Sequence, residues 1–196
     1  MSANRLFSIG YASKPIEVFL AQLKQHGVNA IADVRSVPYS KVFYDYHREA
    51  LITTLKNAGV HYVYLGEELG PRSKDDTHYN EQQQVQFDRL MQSSLYLDGV
   101  ARLQAGLDKG LNVALMCAEK DPADCHRSLL IGYHLQRQLG MSLQHIKHDG
   151  RLETQQAMET RLVAMHDKEA DLFSDAKEQI ELAYQLQLRL KAYKRP

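Results

Sequence analysis

Two kinds of hydrophobic pattern alternate along this chain. Ile16, Phe19, Leu20 and Leu23 recur at the i, i+3, i+4, i+7 spacing of one helix face, and Leu51, Thr54, Leu55 and Ala58 repeat it. Val100, Leu103 and Leu107 form a third such stripe, and Leu129, Leu130 and Tyr133, ahead of Leu139, form a fourth. Each stripe runs into a glycine, and each glycine opens a short strand-like run: "GVNAIADV" at Gly27, "GVHYVYL" at Gly59, "GLNVALMC" at Gly110 and "GMSLQHI" at Gly140. Glycine at that junction is the expected left-handed helix C-cap.

With "RLFSIGY" as a first strand, helices and strands alternate five strands deep. That pattern predicts an α/β, Rossmann-like three-layer domain with a mostly parallel sheet of about five strands. The second and fourth runs are almost continuously apolar, as strands covered on both faces should be. The long interval between Gly59 and Gly110 marks an insertion, about residues 66–94, which opens with the polar "GEELGPRSKDDTHYNEQQQ". This domain is expected over residues 1–150. From about Leu152 the chain turns polar and helix-prone, with no further strand expected. Residues 151–196 are read as a helical C-terminal extension. Leu172, Phe173, Ile180, Ala183, Leu186 and Leu190 give it one apolar face, to pack on the domain or on a second copy as a homodimer. Its terminal Arg189, Lys191, Lys194 and Arg195 read as a solvated end.

Composition narrows the class. Hydrophobic residues make up 44% of 196, which suits a globular core. Lys plus Arg and Asp plus Glu both count 24, so net charge does not point to a nucleic-acid partner. No stretch approaches the ~20 apolar residues of a membrane span, and no signal-peptide pattern opens the chain. With two cysteines and no disulfide framework, a cytoplasmic protein with reduced thiols is expected.

Both cysteines lie in "MCAEKDPADCHR", Met116–Arg127. Cys117 ends the fourth strand. Asp121 before Pro122 has the form of an N-cap followed by N1, so Cys125, His126 and Arg127 fall at a helix start. A loop of this kind lies at the carboxyl edge of a parallel sheet, where ligands bind at a reversal of strand order. A 3-2-1-4-5 order puts that reversal between the first and fourth strands. Tyr11 and Ser13 after the first strand, and Asp33 and Arg35 after the second, are expected to converge there with Glu119, Cys125, His126 and Arg127. Asp33 has a plainer alternative, a structural ion pair with Arg35 or Arg127.

Several chemistries fit these residues. Arg35 and Arg127 can clamp an oxyanion, with Tyr11 and Ser13 completing a site for a small phosphate-containing or nucleotide-like ligand. Asp33 or Glu119 then serves as base and His126 as proton carrier. Against this stand Asp121 and Asp124 at the same helix end, and a single glycine in "SIGYAS". A thiol or transfer enzyme built on Cys125 is the second reading, since a helix start beside His126 and Arg127 favours a thiolate. The intervals from either cysteine to Arg127 do not suit a phosphatase loop, and Cys117 reads as a buried strand end. A metal site is not expected: the spacing is not that of a zinc motif, and adjacent Cys and His seldom face one ion. A non-enzymatic binding module is the fourth reading. The cofactor, if one is used, is left open by the sequence. His26, His61, His134 and His166 read as solvated, while His145 and His148 are placed near the carboxyl edge. Tyr39, Tyr44 and Tyr46 read as loop packing or as a stacking wall.

"FSIGYAS", "ADVRSVPYSK", "HYVYLGEELG" and "CAEKDPADCHR", followed by "HI" and "DG", resemble the DUF488 family over about Leu6 to Gly150. Tyr11-Ala12 stands where the family's first loop typically carries a histidine, and Pro71 replaces a second glycine after Gly70. The resemblance implies no reaction, because the family is named for lacking one.

Overall fold

The computed structural model describes residues 6–166 and 175–196. Strands β1 (Leu6–Gly10), β2 (Ala30–Asp33), β3 (His61–Tyr64), β4 (Val113–Cys117) and β5 (Gln144–Ile146) lie parallel, and β6 (Leu152–Thr154) pairs antiparallel with β5. Helices α1 (Ile16–Gln25) and α2 (Arg48–Asn57) cover one face. The other face carries α4 (Ser94–Asp108), α5 (Tyr133–Leu139), α6 (Gln155–Met165) and α7 (Ala176–Lys191). The expected Rossmann-like α/β architecture with a C-terminal helix is what forms. Gly27, Gly59, Gly110 and Gly140 all have positive φ, between 64° and 81°. No described helix is long and apolar enough to cross a membrane.

Strand order departs from the 3-2-1-4-5 expectation: it is β3-β2-β4-β1-β5-β6. Periodicity identifies a strand but not its neighbours. The Val-Ala-Leu-Met-Cys run is wholly buried and sits between β2 and β1, where both edges as well as both faces are covered. Strand β6 was not expected. It is three residues long with a half-polar sequence, and Asp149-Gly150 (Gly150 φ 84°) turns the chain back into it. Its Glu153, bonded by Arg161, keeps the sheet edge charged.

The stretch after residue 66 is packed structure. It holds the short helix α3 (Phe87–Leu90) and buries Leu69, Tyr79, Val85 and Phe87 in the main core. The C-terminal helix packs on its own domain, with its face rotated from the expected one: Ala183, Tyr184 and Gln187 are buried, while Leu190 is exposed. Leu172 and Phe173 lie outside the described residues. Beyond α7 the chain returns to the insertion, where Val85 N–H donates to the Tyr193 carbonyl and Arg195 N–H to that of Gln83. Arg195 is therefore a tether, not a solvated end. It stacks 3.7 Å over Tyr79 and pairs with Asp76.

At the tip of β1, Gly10 faces the β4 loop so closely that a Cβ would lie 1.8 Å from the Glu119 carbonyl oxygen. At Gly59 nothing stands within 4 Å, and only φ is at issue. Chemical denaturation is therefore expected to show Gly10→Ala costing several kcal/mol, because backbone must move. Gly59→Ala should cost roughly 1–2 kcal/mol. Equal costs would contradict the close approach.

Candidate functional site

The carboxyl edge is built around an internal cation. Past the strands, β1 and β4 stay paired: Tyr11 N–H donates to the Cys117 carbonyl (3.1 Å) and Ala12 N–H to that of Ala118 (2.8 Å). The chain leaves β4 through a 3-10 turn, Pro122–Asp124, capped by Asp121, whose carboxylate accepts from Ala123 N–H. A π-helical stretch, Arg127–Gly132, then leads into α5. From its first residue the Arg127 side chain runs back beneath the loop. It donates to the carbonyls of Glu119 (2.8 Å) and Lys120 (3.3 Å) and to Ser8 Oγ (3.2 Å). It is 0% exposed. Arg127, expected as an anion clamp, is thus a brace inside the loop, away from the cavity wall.

Asp33 and Arg35 form the structural alternative. The Arg35 guanidinium bonds both Asp33 oxygens, at 2.8 and 2.6 Å, and the Tyr46 carbonyl. Tyr62 O–H donates to Asp33 as well, at 2.8 Å. Asp33 is fully buried inside this set and does not line the cavity; Arg35 does. Tyr11 joins the assembly, stacked on Tyr46 at 4.3 Å with Arg35 over its ring. Packing is therefore the role of Tyr46, while Tyr39 reaches the cavity. Ser13 sits in an exposed turn at φ 57°, outside the cavity.

A cavity of about 370 Å³ opens at the tips of β2, β4 and β1. Tyr11, Arg35, Cys117, Glu119 and His126 form its sheet-edge wall. Arg72 from the insertion, with Lys191 and Tyr193 from the C-terminus, completes the lining. Lys191 pairs with Asp124 at 3.1 Å, and Arg72 stacks 4.7 Å over Tyr193. Among the described residues no carboxylate pairs with Arg72. The C-terminal residues were read from sequence as a solvated end, because nothing local in "LKAYKRP" signals a return to the sheet edge.

At the cavity floor four reactive side chains meet. Cys117 Sγ lies 2.9 Å from Glu119 Oε2 and 3.7 Å from His126 Nδ1; Cys125 Sγ lies 3.1 and 3.8 Å from the same atoms. Both cysteines are buried and free. Cys117 is buried at the strand end as expected, and it is the sulfur on the cavity wall, whereas Cys125 lies behind it. The expectation that Cys125 and His126 would diverge fails for a backbone reason. Cys125 is extended (φ −126°, ψ 140°) and His126 helical (φ −59°, ψ −23°), so the change of conformation between them turns adjacent side chains to one side. His126 Nε2–H donates to the Val34 carbonyl at 2.9 Å, which leaves Nδ1 facing the sulfurs. Burial opposes the thiolate at Cys125, but the Cys117 thiol and the charges of Arg127 and His126 outweigh it and hold its pKa below the usual thiol range. The hydrogen bond to Cys125, then burial, pushes Cys117 up. Burial raises Glu119 too. Cys117, Cys125 and His126 present ligand atoms within 4.8 Å of one another, a set able to hold a metal ion.

Behind the loop a hydrogen-bond chain runs from cation to anion. Arg127 donates to Ser8 Oγ, Ser8 to His145 Nδ1 (2.7 Å), and His145 Nε2–H to Gln155 Oε1 (2.8 Å). Gln155 Nε2–H then donates to Tyr184 Oη (2.8 Å), and Tyr184 to Glu159 (2.9 Å). His145 is therefore core, not cavity, and so is His134, against Tyr96. Burial, and next the charge of Arg127, lowers the His145 pKa to about 3.

An α/β domain with its reactive side chains at the carboxyl ends of β2 and β4 defines the class of protein. The chain belongs to the family described as Domain of unknown function DUF488, which it matches over residues 15–134, more than half its length. No curated protein and no solved structure matches it.

His145 stays neutral in the fold, so the unfolded chain takes up the extra proton as pH falls below ~6.5. Stability from this group is full above that pH and is lost between it and about 3. Urea titrations from pH 7 to 4 should show the wild type losing up to about 1.4 kcal/mol per pH unit through this residue, and His145→Gln a correspondingly shallower slope. Identical slopes would show an imidazole that titrates freely.

Proposed function

We propose that the cavity binds a small phosphate-containing or nucleotide-like ligand and presents it to the Cys117–Glu119–Cys125–His126 cluster as an enzyme. One observation carries the reading: cations, tyrosine rings and an acid–base cluster share a single cavity at the carboxyl edge. Arg72 supplies the cavity guanidinium that has no carboxylate partner among the described residues, and Arg35, paired with Asp33, lines the same cavity. Tyr11, Tyr39 and Tyr193 offer ring surface for a base. Glu119 and His126 are the groups able to exchange a proton with the ligand. The ligand is small, because the cavity it enters holds about 370 Å³.

Thermal unfolding with inorganic phosphate, pyrophosphate and nucleoside mono- and diphosphates tests this. At ~100 times Kd the bound ligand adds about 2.7 kcal/mol, a rise in Tm of about 5–10 °C. Arg72→Ala should abolish most of that rise while shifting the ligand-free protein by no more than ~0.5 kcal/mol. No rise with any of these probes would overturn the reading.

A further inference from the structure

We propose that Cys117 Sγ, Cys125 Sγ and His126 Nδ1 form a zinc site at the floor of the cavity, with Glu119 as a displaceable fourth ligand. The inference rests on the cluster alone and stands whether or not the cavity takes a phosphate-bearing ligand.

Ligand spacing is the first argument. With Zn–S near 2.3 Å and Zn–N near 2.0–2.1 Å, a tetrahedral ion separates sulfur from nitrogen by ~3.5 Å. The two Sγ–Nδ1 distances are 3.7 and 3.8 Å. Glu119 Oε2 lies 2.9 and 3.1 Å from the sulfurs, so a slight outward movement of the carboxylate makes room for an ion between all four. The three protein ligands are buried, and the cysteines are unpaired.

Ligand orientation is the second. A metal-bound imidazole characteristically donates its other N–H to a carbonyl or carboxylate, which fixes ring and tautomer. Val34 O does this for His126 at 2.9 Å, from the tip of β2. The Cys117 position is fixed by β4, at the centre of the sheet, and that of Cys125 by the turn capped at Asp121. Two separately anchored pieces of backbone therefore supply the ligands, β4 for Cys117 and the capped turn with the helix start for Cys125 and His126.

Donor chemistry is the third. Two thiolates and an imidazole select zinc over magnesium or calcium, which take oxygen ligands. Cys117, Glu119 and His126 all border the cavity, so an ion held there is reachable from solvent. Three firm protein ligands plus one exchangeable position is the arrangement of catalytic zinc, in which the ion polarises a ligand oxygen or lowers the pKa of a bound water. Glu119, once displaced, remains beside the ion as a base.

The test is a titration of the metal-stripped full chain with Co2+, followed by Zn2+ competition against a chromophoric chelator. The proposal expects one ion per chain, a thiolate-to-cobalt charge-transfer band and the intense visible bands of a tetrahedral site. Cys117→Ser, Cys125→Ser and His126→Asn should each weaken zinc by at least ~100-fold, and Glu119→Gln by about tenfold. Where a serine variant does not fold, the wild type still decides: zinc should protect both thiols from alkylation in the native protein. Absence of stoichiometric binding, a cobalt spectrum without the thiolate band, or alkylation unaffected by zinc would overturn the site. These readouts do not depend on phosphate. Zinc binding without a phosphate-induced shift in Tm, or the reverse, assigns failure to one proposal and not the other.

Discussion

The carboxyl edge depends on one buried cation. Arg127 enters the core from the start of a helix and satisfies two carbonyls of the loop that leaves the central strand. A guanidinium without a carboxylate partner costs several kcal/mol to bury unless its donors are all used. Here the cost is offset by a planar fork that meets two carbonyls and a serine at once, a geometry that lysine cannot reproduce. The fork holds the loop from Ala118 to Lys120 against the tip of β1, where only a glycine leaves room for it. Glu119 is placed by that loop, Cys117 by the strand that feeds it, and Cys125 and His126 by the turn and helix start to which Arg127 itself belongs.

The same cation starts a relay of donors that ends on Glu159. Ser8, His145, Gln155 and Tyr184 each donate once and accept once along it. It ties β1, β5, α6 and α7 to the loop through groups that are all buried, so each is costly to leave unpaired. The C-terminal helix thereby acquires two roles. Tyr184 and Gln187 lock it to the core, Gln187 through the Ala123 carbonyl of the capped turn. Its far end, Lys191 to Tyr193, lines the cavity.

Elements were more legible in the sequence than their arrangement. The helix stripes and their glycine caps mark four helices and the strands that follow, because local periodicity and a left-handed φ are local facts. Strand order was not legible, since a continuous apolar run says that a strand is covered but not by which neighbours. Strand β6 escaped notice because three half-polar residues carry no period. At the site, "MCAEKDPADCHR" correctly marked the loop, its cap and the position of Cys117 at a strand end. It could not show that an arginine drawn toward the core would serve the backbone instead of a ligand. Nor could it show that a change from extended to helical backbone between Cys125 and His126 would aim both at one point. Asp33 and Arg35, two residues apart at a strand end, carried both a functional and a structural reading; the bidentate pair buried under Tyr62 and Tyr46 is the structural one.

Everything at this edge follows from the claim that the Arg127 fork sets the loop. Native-state amide hydrogen exchange at Tyr11 and Ala12, whose N–H groups donate to the carbonyls of Cys117 and Ala118, reads that claim directly. In folded Arg127→Lys, loss of one net hydrogen bond's worth of loop stability, about 1.4 kcal/mol, should speed exchange at both amides by about tenfold. Amides in α2, on the opposite face of the sheet, should exchange at rates changed only by the global loss of stability. Unchanged protection at Tyr11 and Ala12 in a folded variant would contradict the account.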